Sequence, residues 1–149
     1  MNKWKKWTLR AALALAALVV LAGAALLAGT LLAERKMNRQ IQVNVKGVAL
    51  RSDAAALARG RYLYASRGCV DCHGKNGAGR MFLDDGKGLR IAGPNITSGP
   101  GSVTVRYTAQ DWERSIRHGI SPTGRALMIM PSEDYNRLTD ADLGALKIG

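Results

Sequence analysis

Five consecutive residues, Cys69-Val70-Asp71-Cys72-His73, constrain this chain more than any other stretch. They read Cys-x-x-Cys-His, the pattern of covalent c-type haem attachment. Two thiols at positions i and i+3 lie on one face of a single turn, where both can reach the vinyl groups of one haem. The next residue, His73, then falls beneath the iron and supplies the proximal nitrogen. Other uses of a cysteine pair fit these residues less well. A disulfide across so tight a turn would leave His73 without a role. A thioredoxin-like redox pair needs a preceding strand and a βαβ pattern, and neither is visible. A structural zinc site needs four ligands. Cys69, Cys72, His73 and His118 are the only cysteines and histidines, and His73 is crowded beside Cys72. The motif therefore predicts one covalent haem c with its iron.

Size and composition agree with a cofactor at the centre. The 149 residues, less a long apolar N-terminal stretch, leave room for one domain of about a hundred residues. That domain is poor in large apolar side chains: Phe82 is its one phenylalanine and Trp112 its one tryptophan. Protein burial alone makes a domain of this size marginal, and a buried macrocycle would supply the missing apolar core. The formal charge of +11 divides almost evenly, about half lying within the first forty residues. No run of Lys and Arg interleaved with aromatics accompanies it, so nucleic acid is not an expected partner. A docking face for an acidic redox partner, or for an anionic membrane surface, fits the scattered basic residues.

The N-terminus divides by charge. Residues 1–10 carry Lys3, Lys5, Lys6 and Arg10 with Trp4 and Trp7 between them, and residues 11–33 carry no charge at all. As a helix that run is ~35 Å long, enough to cross a bilayer, and the two tryptophans suit the interfacial belt. A cleaved signal peptide is the rival reading. Its apolar region would be shorter, and the small-x-small site at Ala22-Gly23-Ala24 lies inside the run rather than after it. A single-pass anchor is the expectation. Arg35, Lys36 and Arg39 on the far side leave the charge asymmetry small. Orientation then follows from the haem motif: in bacteria haem is attached outside the cytoplasmic membrane, which puts the N-terminus inside and the haem domain in the periplasm.

Residues 34–51 read as a linker, a charged stem and then the alternating Ile41-Gln42-Val43-Asn44-Val45, an extended tether or short edge strand. Residues 52–149 form the haem domain. Its first helix opens near Ser52 as N-cap, presents Leu57, Gly60, Leu63 and Tyr64 as an apolar stripe, and ends at Gly68. Gly60 in mid-helix costs about 1 kcal/mol against Ala, which close approach of another helix would explain. Residues 74–107 are Gly-rich and aperiodic and read as a loop wrapping a flat cofactor. Within it Pro94 could offer its carbonyl to the second ring nitrogen of His73, orienting a ligating imidazole; an ordinary turn is the equal alternative. Thr108-x-x-Asp111 forms a capping box for the next helix, Tyr107 and Trp112 form a staple, and Gly119 ends it after His118. A last helix starts at Thr139, again with a capping-box spacing to Asp142.

Candidates for the sixth iron ligand are Met81, Met128, Met130 and His118. Met130 stands out because Pro131 follows it directly, in a loop with no helix to dictate where the thioether points.

From Ser52 onward the chain resembles class I cytochrome c domains. A helix running into Cys-x-x-Cys-His, Gly93-Pro94-Asn95, Met130-Pro131 and a final helix occur in the family's order. The segments Gly93-Pro94-Asn95-Ile96-Thr97, Ile116-Arg117-His118-Gly119 and Leu138-Thr139-Asp140 resemble, more narrowly, single modules of the cytochrome subunits of membrane-bound alcohol, aldehyde and gluconate dehydrogenases. The resemblance implies an all-α domain around the haem, with a last helix crossing the first near Gly60. It implies that Pro94 binds the haem histidine, and that His73 and Met130 ligate the iron. The expected function is single-electron transport without catalysis and without a small-molecule substrate. The partners would be redox proteins: a quinol- or dehydrogenase-side donor and an oxidase-side acceptor. Membership of a dehydrogenase or oxidase complex is the alternative to a free carrier. A third reading, an iron with an open distal site in a gas sensor or haem enzyme, makes Met130 dispensable.

Overall fold

The computed structural model describes residues 2–146 and divides the chain into two units, Met1–Gln40 and Ile41–Gly149. The first unit is one continuous helix, α1 (Lys3–Met37), long and apolar enough to cross a membrane and exposed along its whole length. Arg35 and Lys36 sit in its last turn, where they face the negative end of the helix dipole.

The second unit contains α2 (Ala54–Ser66), α3 (Cys69–His73), β1 (Arg80–Asp84), β2 (Arg90–Gly93), α4 (Ala109–His118), a single 3-10 turn at Ser132–Asp134, and α5 (Asp140–Ala145). Helix α2 begins one residue later than its sequence suggests. Asp53, not Ser52, is the N-cap, with its carboxylate accepting from the Ala56 N–H at 2.9 Å. The reason lies upstream: the Arg51 N–H donates to the Gly144 carbonyl at 2.8 Å, which keeps the incoming chain extended as far as residue 52.

Gly60 is where α2 and α5 touch. A Cβ there would collide with the Ala145 carbonyl, so the two backbones meet with no side chain between them. Leu63, Tyr64 and Leu146 form the buried cluster beside this crossing. Helix α5 is capped by the Thr139 hydroxyl, which accepts from the Asp142 N–H at 3.1 Å. The Asp142 carboxylate itself turns away from the cap and pairs with Arg59 of α2, at 2.8 Å to Nε. Its capping-box spacing is thus put to use across the helix pair. The box on α4 is complete, with Thr108 and Asp111 each bonding the other's backbone N–H.

Residues 41–51, read as a tether, run extended against the domain and are bonded to it. Ile41 N–H donates to the Gly124 carbonyl at 2.8 Å, and Gly47 N–H donates to the Glu113 carboxylate at 2.8 Å. Glu113 is buried and also accepts from Arg117 at 3.0 Å. Arg117 in turn donates to the Leu138 carbonyl at 2.7 Å and to Asp140. One buried ion pair on α4 therefore fastens the strap on one side and the approach to α5 on the other.

The expectation of an all-α domain is corrected by β1 and β2, an antiparallel hairpin inside the stretch read as loop. Its signal is present in the sequence. Met81-Phe82-Leu83 is an apolar run, and Asp84-Asp85-Gly86-Lys87-Gly88 is turn chemistry. The Asp85 carboxylate accepts from the Lys87 and Leu89 N–H groups and closes the turn. Pairing skips Phe82, since Met81 faces Ala92 and Leu83 faces Ile91. That bulge erases the two-residue alternation by which a strand is recognised.

Two outcomes follow for stability. Gly60→Ala should destabilise the protein by about 2 kcal/mol in denaturant titration, because a methyl must enter a backbone contact that cannot repack. The hydrogen bond from Arg59 holds the Asp142 carboxyl below the usual carboxylate range. Its folded value lies below its unfolded value, so its contribution is complete above the unfolded value near ~4 and is lost as pH falls through the folded one. Melting temperatures should fall below about pH 4 in the native protein and show a shallower fall in Asp142→Asn.

Candidate haem site

Helix α3 is a single turn that follows α2 through Arg67 and the left-handed Gly68. It carries Cys69 and Cys72, both half-buried free thiols, and ends on His73. Burial pushes the Cys69 thiol up. Gly93 lies directly against α3, where a Cβ would collide with the Cys72 carbonyl. This contact brings the next residue under the imidazole, and His73 Nδ1 lies 2.9 Å from the Pro94 carbonyl oxygen. A carbonyl can only accept, so Nδ1 carries a proton, and in the neutral ring Nε2 keeps its lone pair. The turn beyond is fixed by Asn95. Its side-chain oxygen accepts from the Thr97 N–H and hydroxyl, and its amide donates to the Pro100 carbonyl. The Gly79 N–H to His73 carbonyl bond, 2.8 Å, ties the start of the hairpin to the end of α3.

Two tyrosines that the sequence does not mark as site residues brace it. Tyr64 donates its hydroxyl to the Gly74 carbonyl at 2.6 Å, just after the motif, and Tyr135 donates to the Arg67 carbonyl at 2.8 Å, just before it. Burial pushes both phenols up to about 12, so both remain donors at neutral pH. Tyr64 is legible as part of the α2 stripe, but nothing in its spacing indicates where its hydroxyl reaches.

A cavity of about 310 Å³ opens on this framework. Its lining includes Cys69 and His73 on one side, Trp112 and Ile116 of α4, and Leu127 through Met130. Trp112 meets Tyr107 edge to face, ring centroids 5.3 Å apart, as the staple spacing predicts. A smaller cavity of about 130 Å³ shares Cys69, His73, Pro94, Ile129, Met130 and Tyr135 with the first and adds Cys72 and Phe82. Phe82 is the bulge residue of β1, and its place in the site is not readable from the sequence.

The ligand candidates separate by position. Met130 lines both cavities with His73, and Met128 lines the larger one. Met81 and His118 are exposed and line neither. The residues present suit a flat apolar macrocycle with a metal at its centre. They offer two free thiols at the cavity margin, an imidazole whose Nε2 lone pair is available, a thioether in the same lining, and apolar walls. Leu63 is the one large side chain fully buried among the described residues, so the cavity occupies the place of a core.

This is the site of a c-type cytochrome domain. Residues 55–147 match the family model described as cytochrome c oxidase, cbb3-type, subunit III, and the chain belongs to that family, which carries covalently bound haem c. It is 35% identical over 97 residues to the fructose dehydrogenase cytochrome subunit of Gluconobacter japonicus, an alignment covering 61% of this chain and 20% of that one. To the cytochrome c subunit of the quinone-dependent alcohol dehydrogenase of Gluconacetobacter polyoxogenes it is 33% identical over 100 residues, covering 64% and 21%. With the gluconate 2-dehydrogenase cytochrome c subunit of Pantoea cypripedii it shares 33% over 100 residues, covering 62% and 22%. The chain thus spans about a fifth of the length of these relatives. No solved structure matches it significantly.

Tyr135→Phe removes a buried donor while leaving the Arg67 carbonyl in place. It should cost about 1–2 kcal/mol in stability, measured by denaturation of the haem-loaded protein, with covalent haem still attached.

Proposed function

We propose that this protein is a membrane-anchored electron carrier whose haem is bound through Cys69 and Cys72 and ligated by His73 and Met130. The observation that carries the reading is that His73, with its Nδ1 proton committed to Pro94, shares both cavities with Met130. Haem c supplies the redox chemistry when bound, its iron alternating between ferric and ferrous. The protein's own groups set the conditions. The Cys69 and Cys72 thiols are the attachment points, the Pro94 carbonyl fixes the imidazole's tautomer and plane, and the apolar walls exclude water. His/Met ligation raises the reduction potential and leaves no iron position for a substrate, which suits transport of single electrons rather than catalysis. Helix α1 would hold the domain at the cytoplasmic membrane of a bacterium, N-terminus inside and haem domain in the periplasm. Redox proteins would be its donor and acceptor.

A second reading makes the chain the electron-transfer subunit of a dehydrogenase or oxidase complex. It is favoured by the identities with subunits of fructose, alcohol and gluconate dehydrogenases. Mild detergent extraction separates the two: a larger catalytic chain that co-purifies in fixed ratio supports the complex, and its absence supports the free carrier.

The ligation is tested on the detergent-purified protein. Its mass should exceed that of the polypeptide by one haem, and the Cys69→Ser/Cys72→Ser double variant should lose the covalent group. The ferrous protein should not bind carbon monoxide at neutral pH. Ready binding without displacement of Met130 would show the distal position to be open and overturn the His73/Met130 assignment.

A further inference from the structure

The lining of the larger cavity contains a second thioether. Met128 stands two residues before Met130, and both border the same space as His73. The chain bends through residues 128–130 and is held at each end. Leu127 N–H donates to the Gly119 carbonyl at 2.6 Å, and Ser132 N–H donates to the Met130 carbonyl at 2.9 Å. Between those points no backbone N–H of Met128, Ile129 or Met130 donates to another backbone group among the described residues. Met128 and Ile129 can therefore shift without breaking a backbone hydrogen bond, and only the Met130 carbonyl, bonded to Ser132, resists. Met128 is 66% exposed, so it gains little from packing, and its unbranched side chain adapts easily to a new position.

We propose that Met128 is a reserve ligand for the iron position occupied by Met130. This rests on the assignment of His73 and Met130 made above. In the exchange the Met130 Sδ–iron coordinate bond breaks and a Met128 Sδ–iron bond forms. One neutral sulfur lone pair replaces another, so no proton moves and the iron keeps its oxidation state. The two bound forms differ in how the 127–131 segment is drawn across the cavity. Ligand exchange in this protein then passes from thioether to thioether, whereas Met81 and His118, which line neither cavity, do not enter it.

The test uses the full haem-loaded chain with Met128→Ala, Met130→Leu and the double variant. Leu keeps the volume of Met without a sulfur, and circular dichroism verifies that each variant is folded. The readouts are the thioether-to-ferric-iron charge-transfer absorption and carbon monoxide binding to the ferrous form. Met130→Leu should keep the absorption, shifted, and bind carbon monoxide about tenfold more weakly than the double variant, because Met128 occupies the position most of the time. The double variant should lose the absorption. If Met130→Leu lacks the absorption and binds carbon monoxide as tightly as the double variant, Met128 is no ligand and the proposal falls while the Met130 assignment stands. If Met128→Ala alone abolishes the absorption, the Met130 assignment itself is overturned, and the reserve-ligand proposal with it. An absorption that survives in the double variant means that a methionine other than Met128 and Met130 ligates the iron, and overturns both assignments.

Discussion

The contact between Gly93 and the Cys72 carbonyl is the constraint on which the site depends. Two backbone segments about twenty residues apart meet there with no room for a side chain. Because they do, the Pro94 carbonyl arrives at His73 Nδ1, and the imidazole is held in one tautomer and one plane. A hydrogen bond of this kind orients an imidazole that is to ligate a metal and fixes its tautomer. The β1–β2 hairpin follows from the same contact. Gly93 closes β2, and the hairpin's other strand starts just after the Gly79 N–H bonds the His73 carbonyl.

The rest of the domain compensates for a small core. The large side chains surround a cavity instead of filling one another's gaps, and much of the fixing falls to polar groups. Glu113 and Arg117 form a buried pair that would be costly if either were left alone. Both are instead given backbone partners, at Gly47 and Leu138. The hydroxyls of Tyr64 and Tyr135 bracket the haem motif from opposite ends. In a domain built in this way a bound haem adds to the apolar interior, so binding it favours the folded state.

Most of the architecture was legible because it rests on local chemistry. The capping box at Thr108, the Tyr107–Trp112 staple and the turn of α3 each involve residues within five positions of one another. Gly60 was legible as an anomaly, a helix position where only a close neighbour justifies the residue. The hairpin is legible only in its apolar run and turn residues, because the bulge at Phe82 breaks its alternation and β1 is exposed throughout. Ser52 and Asp53 are equally good caps by residue type, and a hydrogen bond from Arg51 to Gly144 chooses Asp53.

From Cys69 to His73 the amino-acid order was sufficient by itself, since two thiols and an imidazole in one turn have few other uses. Which of two equal readings applied to Pro94, an ordinary turn or a partner for His73, depended on a backbone contact between segments distant in the chain. The same holds for the methionines. Composition supplies several thioethers of identical chemistry, and the folded chain puts Met128 and Met130 on the cavity while leaving Met81 on the hairpin surface. Local sequence carries the chemistry of each group, but the distance between groups on different segments is set by how helices, strap and hairpin pack.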